Sequence, residues 1–199
     1  MIVKGKIKRY FKLSESARLF WLIIEEQRIL CYNFFMVSIK INDVNKFMHD
    51  ILVQDFFDSF LVSEVEICTS STFNMNGRIN KNFYNSDELE NIHEDFISWK
   101  HLKHICFEII RGKKVPSRMK LVLASPKAGF EKIMNDCGLT MSKEDIGGLY
   151  MHVLYEDDEI SIITGTSLNI FTMDKTLDKY WDHITTDFLS HHFDISIQE

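Results

Sequence analysis

Val44, Phe47, Met48, Ile51 and Leu52 stand at i, i+3, i+4, i+7 and i+8, directly after an alternating run from Met36 to Ile41. The alternation suits a strand with one buried face, and the spacing that follows suits a helix with one buried face. Asn42 is the expected cap between them. The same change of period recurs. Leu61 to Met75 reads as a long strand rich in Val, Ile, Thr and Phe, and Asn76-Gly77 reads as a hairpin turn before Ile79 and Phe83. Trp99, Leu102, Ile105, Cys106, Ile109 and Ile110 form a second helical stripe, with Gly112 placed to end it.

Met119 to Ala124 is a further strand. Ser125-Pro126 then opens a helix whose apolar face is Phe130, Ile133, Met134 and Cys137, with Gly138 as its stop. Ser142 to Asp145 is a short capped turn. Leu149 to Tyr155 and Ile160 to Ile163 form a hairpin across Asp157-Asp158, and Leu168 to Thr172 suggests one more strand. Asp174 caps a last helix that buries Leu177, Tyr180, Trp181, Ile184 and Phe188. Hairpins mixed with isolated helices predict an α+β fold of antiparallel hairpins packed with about four helices. Strand, helix and hairpin follow one another from Met36 and again from Met119, which raises the idea of two similar strand-helix-hairpin units.

Residues 1–35 differ from the rest. They carry seven Lys/Arg against three Glu, a net of +4, and residues 36–199 carry a net of −10. We expect 1–35 to be a basic and apolar extension, either an arm that docks on something or, the reading we favour, a mis-assigned gene start with Met36 as the first natural residue, and 36–199 to be a single α+β domain. At 199 residues and 45% apolar composition, a core can form without disulfides or metal. Cys31, Cys68, Cys106 and Cys137 lie far apart with no CxxC pair, as expected of reduced thiols in a cytoplasm. No apolar run reaches the roughly 18 residues of a membrane span. Three Ala and two Pro, against abundant Ile, Asn, Lys and Phe, suggest an AT-rich bacterial genome.

The segments Phe60 to Thr69, Phe73 to Tyr84, Ser98-Trp99, Ile105 to Pro116, Thr164 to Ser167 and Phe171 to Lys175 together resemble an uncharacterised family of clostridial proteins, a domain of unknown function. The resemblance covers about Met36 to the last helix. It implies a start near Met36, and no activity, ligand or catalytic residue.

Two constellations carry candidate chemistry. Arg111, Gly112, Lys113, Lys114, Arg118 and Lys120 form a basic run without an acid, suited to an anion or a nucleic-acid phosphate. Cations that complement a helix C-terminus in a solvated turn are the simpler explanation, and the acidic domain around the run favours it. His101, His104 and Glu108 share a helical face and could ligate zinc, but two-histidine helical motifs are spaced i, i+4 and no second ligand pair is evident. His191-His192 reads as surface and His93-Glu94-Asp95 as a polar loop. Thr164-Gly165-Thr166-Ser167 reads as a strand bend, and Trp99, Trp181 and the phenylalanines as core.

No nucleophile elbow, dinucleotide loop, phosphate loop, zinc-protease or calcium-loop pattern is present. The expectation is a non-catalytic interaction or regulatory protein of a bacterial cytoplasm with a protein partner, no cofactor and no membrane. The alternative is a phosphorylated-ligand-binding protein or enzyme, or a nucleic-acid-associated protein, using the Arg111 to Lys120 turn.

Overall fold

The computed structural model describes residues 37–112, 114–139 and 141–198. The expected extension over 1–35, with Cys31, lies outside the described residues, as does Lys113. The elements are β1 (Ser38–Ile41), α1 (Val44–Leu52), β2 (Leu61–Cys68), β3 (Thr72–Asn76), α2 (Ser86–Leu89), α3 (Trp99–Ile110), β4 (Arg118–Ala124), α4 (Phe130–Cys137), β5 (Ile146–Glu156), β6 (Glu159–Leu168), α5 (Thr176–Ser190) and β7 (Ile195–Gln198). The fold is α+β. All the strands join one antiparallel sheet in the order β3-β2-β4-β5-β6-β1-β7.

Register explains the two faces of this sheet. Met75, Val65, Leu121, Val153, Ile162 and Ile39 stand opposite one another in a single row. Such rows belong to the same buried cluster as Phe47 and Ile51 of α1, Trp99 and Cys106 of α3, Phe130 of α4 and Trp181 of α5. The next row along holds Asn74, Glu66, Lys120, Leu154, Ser161 and Lys40, on the opposite face. A one-residue slip would exchange the two rows, so burial of one face specifies the register.

The strand-helix-hairpin units are used differently. β4 lies beside β5, whereas β1 lies beside β6 and β7, with β4, β5 and β6 between it and β2. The sheet therefore closes around the second unit, and the first is split across it.

Several local expectations are corrected. The cap of α1 is Asp43, whose carboxylate accepts from the Lys46 amide at 2.9 Å, not Asn42. The first hairpin turns at Thr69 to Ser71, six residues before Asn76-Gly77. Gly77 does not adopt positive φ; it continues the ladder, donating to the Ser63 carbonyl at 3.0 Å. Its lack of a side chain is needed for packing, because a Cβ there would stand 1.8 Å from the Val62 carbonyl oxygen. Ser125 makes no cap bond to α4, which is entered through a short 3-10 turn over Lys127–Gly129. Leu168 to Thr172 adds no further strand after β6 ends at Leu168.

Other expectations hold. Gly138 ends α4 at φ 67°, and Asp157 and Asp158 both take positive φ in the β5–β6 turn. The start of α5 differs: its N-cap position is Lys175, without a side-chain cap bond, and Asp174, the expected cap, stands one residue earlier and accepts from the Thr176 amide at 2.9 Å.

Candidate interaction site

α3 sits where it does because one face is anchored at three points. The Trp99 indole donates to the Ile51 carbonyl at 2.7 Å, and the Ser98 hydroxyl donates to the Asp58 carbonyl at 2.8 Å. The Lys103 ammonium reaches the Gln54 carbonyl at 2.8 Å and the Asp58 carboxylate at 2.5 Å. Lys103 is thereby buried in a position that sequence spacing would give to an apolar residue. A buried ammonium is tolerated because its charge and hydrogen bonds are both met.

The rotation that buries Lys103 turns Ile105 outward. Ile105, expected in the core, is 51% exposed, while Trp99 and Cys106 are fully buried. Burial pushes the Cys106 thiol up to about 12, so this cysteine is inert. Ile105 and Ile109 meet Phe73 of β3 across an open groove of about 680 Å³. Phe73 is 39% exposed. Thr69 and Ser70 of the hairpin turn, with His104 and Glu108 of α3, form the polar sides of this groove. The groove thus has an apolar floor within a polar rim.

The sequence candidates distribute around this groove. His104 and Glu108 line it, and His101 is exposed elsewhere on α3. Glu108 is engaged by Arg111 at 3.1 Å. Among the described residues no three His, Cys, Asp or Glu groups come together to hold a metal ion, and His101, His104 and Glu108 are included in that statement. Gly112 and Lys114 are exposed in the turn after α3. Arg118 and Lys120 are on β4 and face the other side of the sheet. There Arg118 meets Glu66 at 3.1 Å and Glu156 at 3.9 Å, and Lys120 meets Glu64 at 3.0 Å. The basic run is thus split between a solvated turn and a set of cross-strand ion pairs.

The remaining polar motifs are structural. Thr164 and Thr166 of the hydroxyl-rich segment donate to Asp182 and Asp178 of α5. Burial pushes the Asp182 carboxyl above the usual aspartate range, although the Thr164 hydrogen bond pulls the other way. Gly165 between them faces the opposite side, where a Cβ would meet the His152 ring at 3.4 Å. Burial holds the His152 imidazole below its ordinary value, and the Lys120 charge adds to this.

His191 and His192 are both exposed, as expected from the sequence, and His192 is also held by contacts. Its ring stacks on Phe56 at 4.2 Å and its Nε2 lies 3.0 Å from the Asp50 carboxylate. Burial acts to raise the Asp50 carboxyl, but hydrogen bonds from His49, Lys46 and His192 bring it below the usual range.

A cleft of about 900 Å³ is lined by His93, Glu94, Asp95, Lys127, Glu131 and Lys143 among others. Its carboxylates are already committed. Glu94 accepts from the Lys127 amide at 3.1 Å, and Asp95 pairs with the Lys127 ammonium at 2.6 Å. The hydrogen bond from Lys127 pulls the Asp95 carboxyl below its ordinary value. This arrangement fastens the loop to the start of the 3-10 turn.

Not every aromatic is core. Phe171 is 95% exposed, and Phe83 stands out beside Tyr84 with ring centroids 5.4 Å apart. Sequence reasoning missed the groove for one reason: Ile105 belongs to a convincing helical stripe, and only the anchoring of Lys103 shows which way that helix is turned. Among the described residues no helix is long and apolar enough to cross a membrane. A family model described as a family of unknown function (DUF5721) matches residues 50–197. No curated protein and no solved structure matches the chain.

Proposed function

Given that the chain belongs to the family of unknown function DUF5721, we propose that it is a non-catalytic interaction or regulatory protein of a bacterial cytoplasm that binds a protein partner at the groove between β3 and α3. The observation that carries this reading is the exposure of Phe73 and Ile105 across one groove with a polar rim. Apolar side chains that a monomer leaves open together, on an anchored helix, suit an interface core. The spacing of the cysteines and the AT-rich composition support the compartment and the bacterial source.

The chemistry elsewhere supports a non-catalytic role. In the cleft beside the 3-10 turn, Glu94 and Asp95 are engaged by Lys127 and Glu131 by Lys143, and the buried Cys106 thiol has a pKa far from neutrality. The pairing of Arg118 and Lys120 with carboxylates weighs against a phosphate site built from the whole basic run.

A photo-crosslinking residue placed at Ile105 in the full chain tests the proposal in native cells. The expected result is a discrete protein adduct that disappears when Phe73→Asp is added. Adducts no different from those formed at the exposed control position Phe83 would reject the groove. A melting-temperature rise with inorganic phosphate or an oligonucleotide, abolished by Lys114→Glu, would move the function to the turn after α3.

A further inference from the structure

Among the described residues β3 is the end strand of the sheet, and its hydrogen-bonding phase is set by two contacts. The Thr69 amide donates to the Ser71 carbonyl at 2.9 Å at the turn, and the Gly77 amide donates to the Ser63 carbonyl at 3.0 Å at the far end. In an antiparallel ladder, residues alternate between bonding one neighbour and facing the other. Phe73 and Met75, opposite Ile67 and Val65, are in phase with these two contacts and bond β2. Thr72, Asn74 and Asn76 therefore direct their backbone N–H and C=O groups to the open edge.

Exposed edges of this kind are normally guarded by lysine, proline or a bulge. β3 reads Thr-Phe-Asn-Met-Asn and has none of these; its pairing with β2 is continuous. Thr72, Asn74 and Asn76 are exposed. The nearest carboxylates on β2, Glu64 and Glu66, are neutralised by Lys120 and Arg118. The edge is thus uncharged and meets no like charge when it faces itself.

We propose that β3 pairs antiparallel with β3 of a second copy of this chain about a two-fold axis at Asn74, making one continuous sheet through two molecules. The register follows from the phase. Centred on Asn74, the strands overlap fully, and every outward residue meets an outward residue: Thr72 with Asn76, Asn74 with Asn74, and Asn76 with Thr72. Each of these pairs exchanges its N–H and C=O groups.

The side chains also match. On the core face Phe73 stands opposite Met75 of the second copy, a sulfur–aromatic pairing. On the other face the two Asn74 amides stand opposite each other, each with donors and an acceptor. The contact is isologous, as closed two-fold dimers require. It does not rest on the partner-binding reading, since it uses the strand's open backbone edge.

Sedimentation velocity on the full chain tests the pairing. The wild type is expected to sediment as a dimer at micromolar concentration and above, with dissociation on dilution. Because Asn74 faces its own copy, Asn74→Lys and Asn74→Asp should each be monomeric, and an equimolar mixture of the two should restore the dimer. Amide exchange at Thr72 and Asn74 in the wild type should slow as concentration rises, a readout that needs no variant.

A monomeric wild type with concentration-independent exchange at these amides overturns the proposal. So does a dimer that survives both single variants. Monomeric variants whose mixture stays monomeric overturn the axis at Asn74. Failure of the Ile105 crosslink leaves all these readouts in place, so the two proposals fail separately.

Discussion

Thr164 of β6 donates its hydroxyl to the Asp182 carboxylate of α5, and Thr166, two residues along the strand, donates to Asp178, four residues back along the helix. The two spacings agree. Two strand residues span about 6.6 Å and four helical residues about 6 Å, so a strand and an antiparallel helix can make both bonds in register. The pair fixes where α5 rests on the sheet, and the Trp181 indole adds a bond to the Tyr150 carbonyl at 2.8 Å. Tertiary docking of this helix is thus set by hydrogen bonds as well as by the burial of Leu177 and Leu189.

Asp182 makes that docking pH-dependent. Its carboxyl is raised by burial, so the folded state holds the proton more tightly than the unfolded state does. Stability then declines as pH rises from the ordinary aspartate value of 3.8 through the raised value. Asp182→Asn keeps an acceptor for Thr164 and removes the penalty. The melting temperature of the variant relative to wild type should increase across that acid range and level off above it. A difference that stays constant with pH would show that Asp182 does not titrate in the folded protein.

Gly77 is held by space, not by backbone conformation. A Cβ would lie 1.8 Å from a backbone oxygen, which cannot rotate away. Gly77→Ala should therefore cost about 3 kcal/mol through forced separation of β2 from the chain after β3. Gly112→Ala, whose Cβ would meet nothing nearer than 3.9 Å, should change stability by less than about 0.5 kcal/mol. Urea unfolding of both variants measures the contrast, and equal effects would remove the steric account.

Lys103 holds the 53–60 loop against α3. Lys103→Met would strand the Asp58 carboxylate, whose side chain is only 17% exposed, and should cost about 3 kcal/mol. Adding Asp58→Asn should recover part of that loss, because the uncompensated charge is gone. Chemical denaturation of the single and double variants supplies the test. A double variant no more stable than the single would mean that packing, not charge, explains the cost.

Much of the fold was legible because one-sided burial writes its period into the chain. The stripe of α1, the strands β1, β4, β5 and β6, the Gly138 stop and the Asp157-Asp158 turn are local consequences of apolar spacing and backbone preference. Errors arose where two local signals competed. Asn76-Gly77 has the composition of a tight turn, yet the turn forms at Thr69 to Ser71 and Gly77 is spent on a close approach to Val62. The hydroxyl-rich Thr164 to Ser167 segment reads as a bend, yet its two threonines are the docking points of α5.

The candidate site was legible only in fragments. His104 and Glu108 were visible as a polar strip on α3, but Phe73 and Ile105 read as core residues, and nothing local joins a strand at 73 to a helix at 105. The basic run from Arg111 to Lys120 is contiguous in sequence and divided in space, because strand alternation sends Arg118 and Lys120 to the face that carries Glu64, Glu66 and Glu156.

Local periodicity and turn chemistry were enough to establish an α+β chain of hairpins and one-sided helices, since these depend on neighbours a few residues apart. The order of strands, the position of β3 at an open edge and the outward turn of Ile105 came only from the folded molecule. Each depends on partners far apart in the chain: β1 with β6, Lys103 with Asp58, Phe73 with Ile105. Such contacts are selected by the shared burial of one sheet face and by the charges that must be matched there, and no short window of sequence contains both members of the pair.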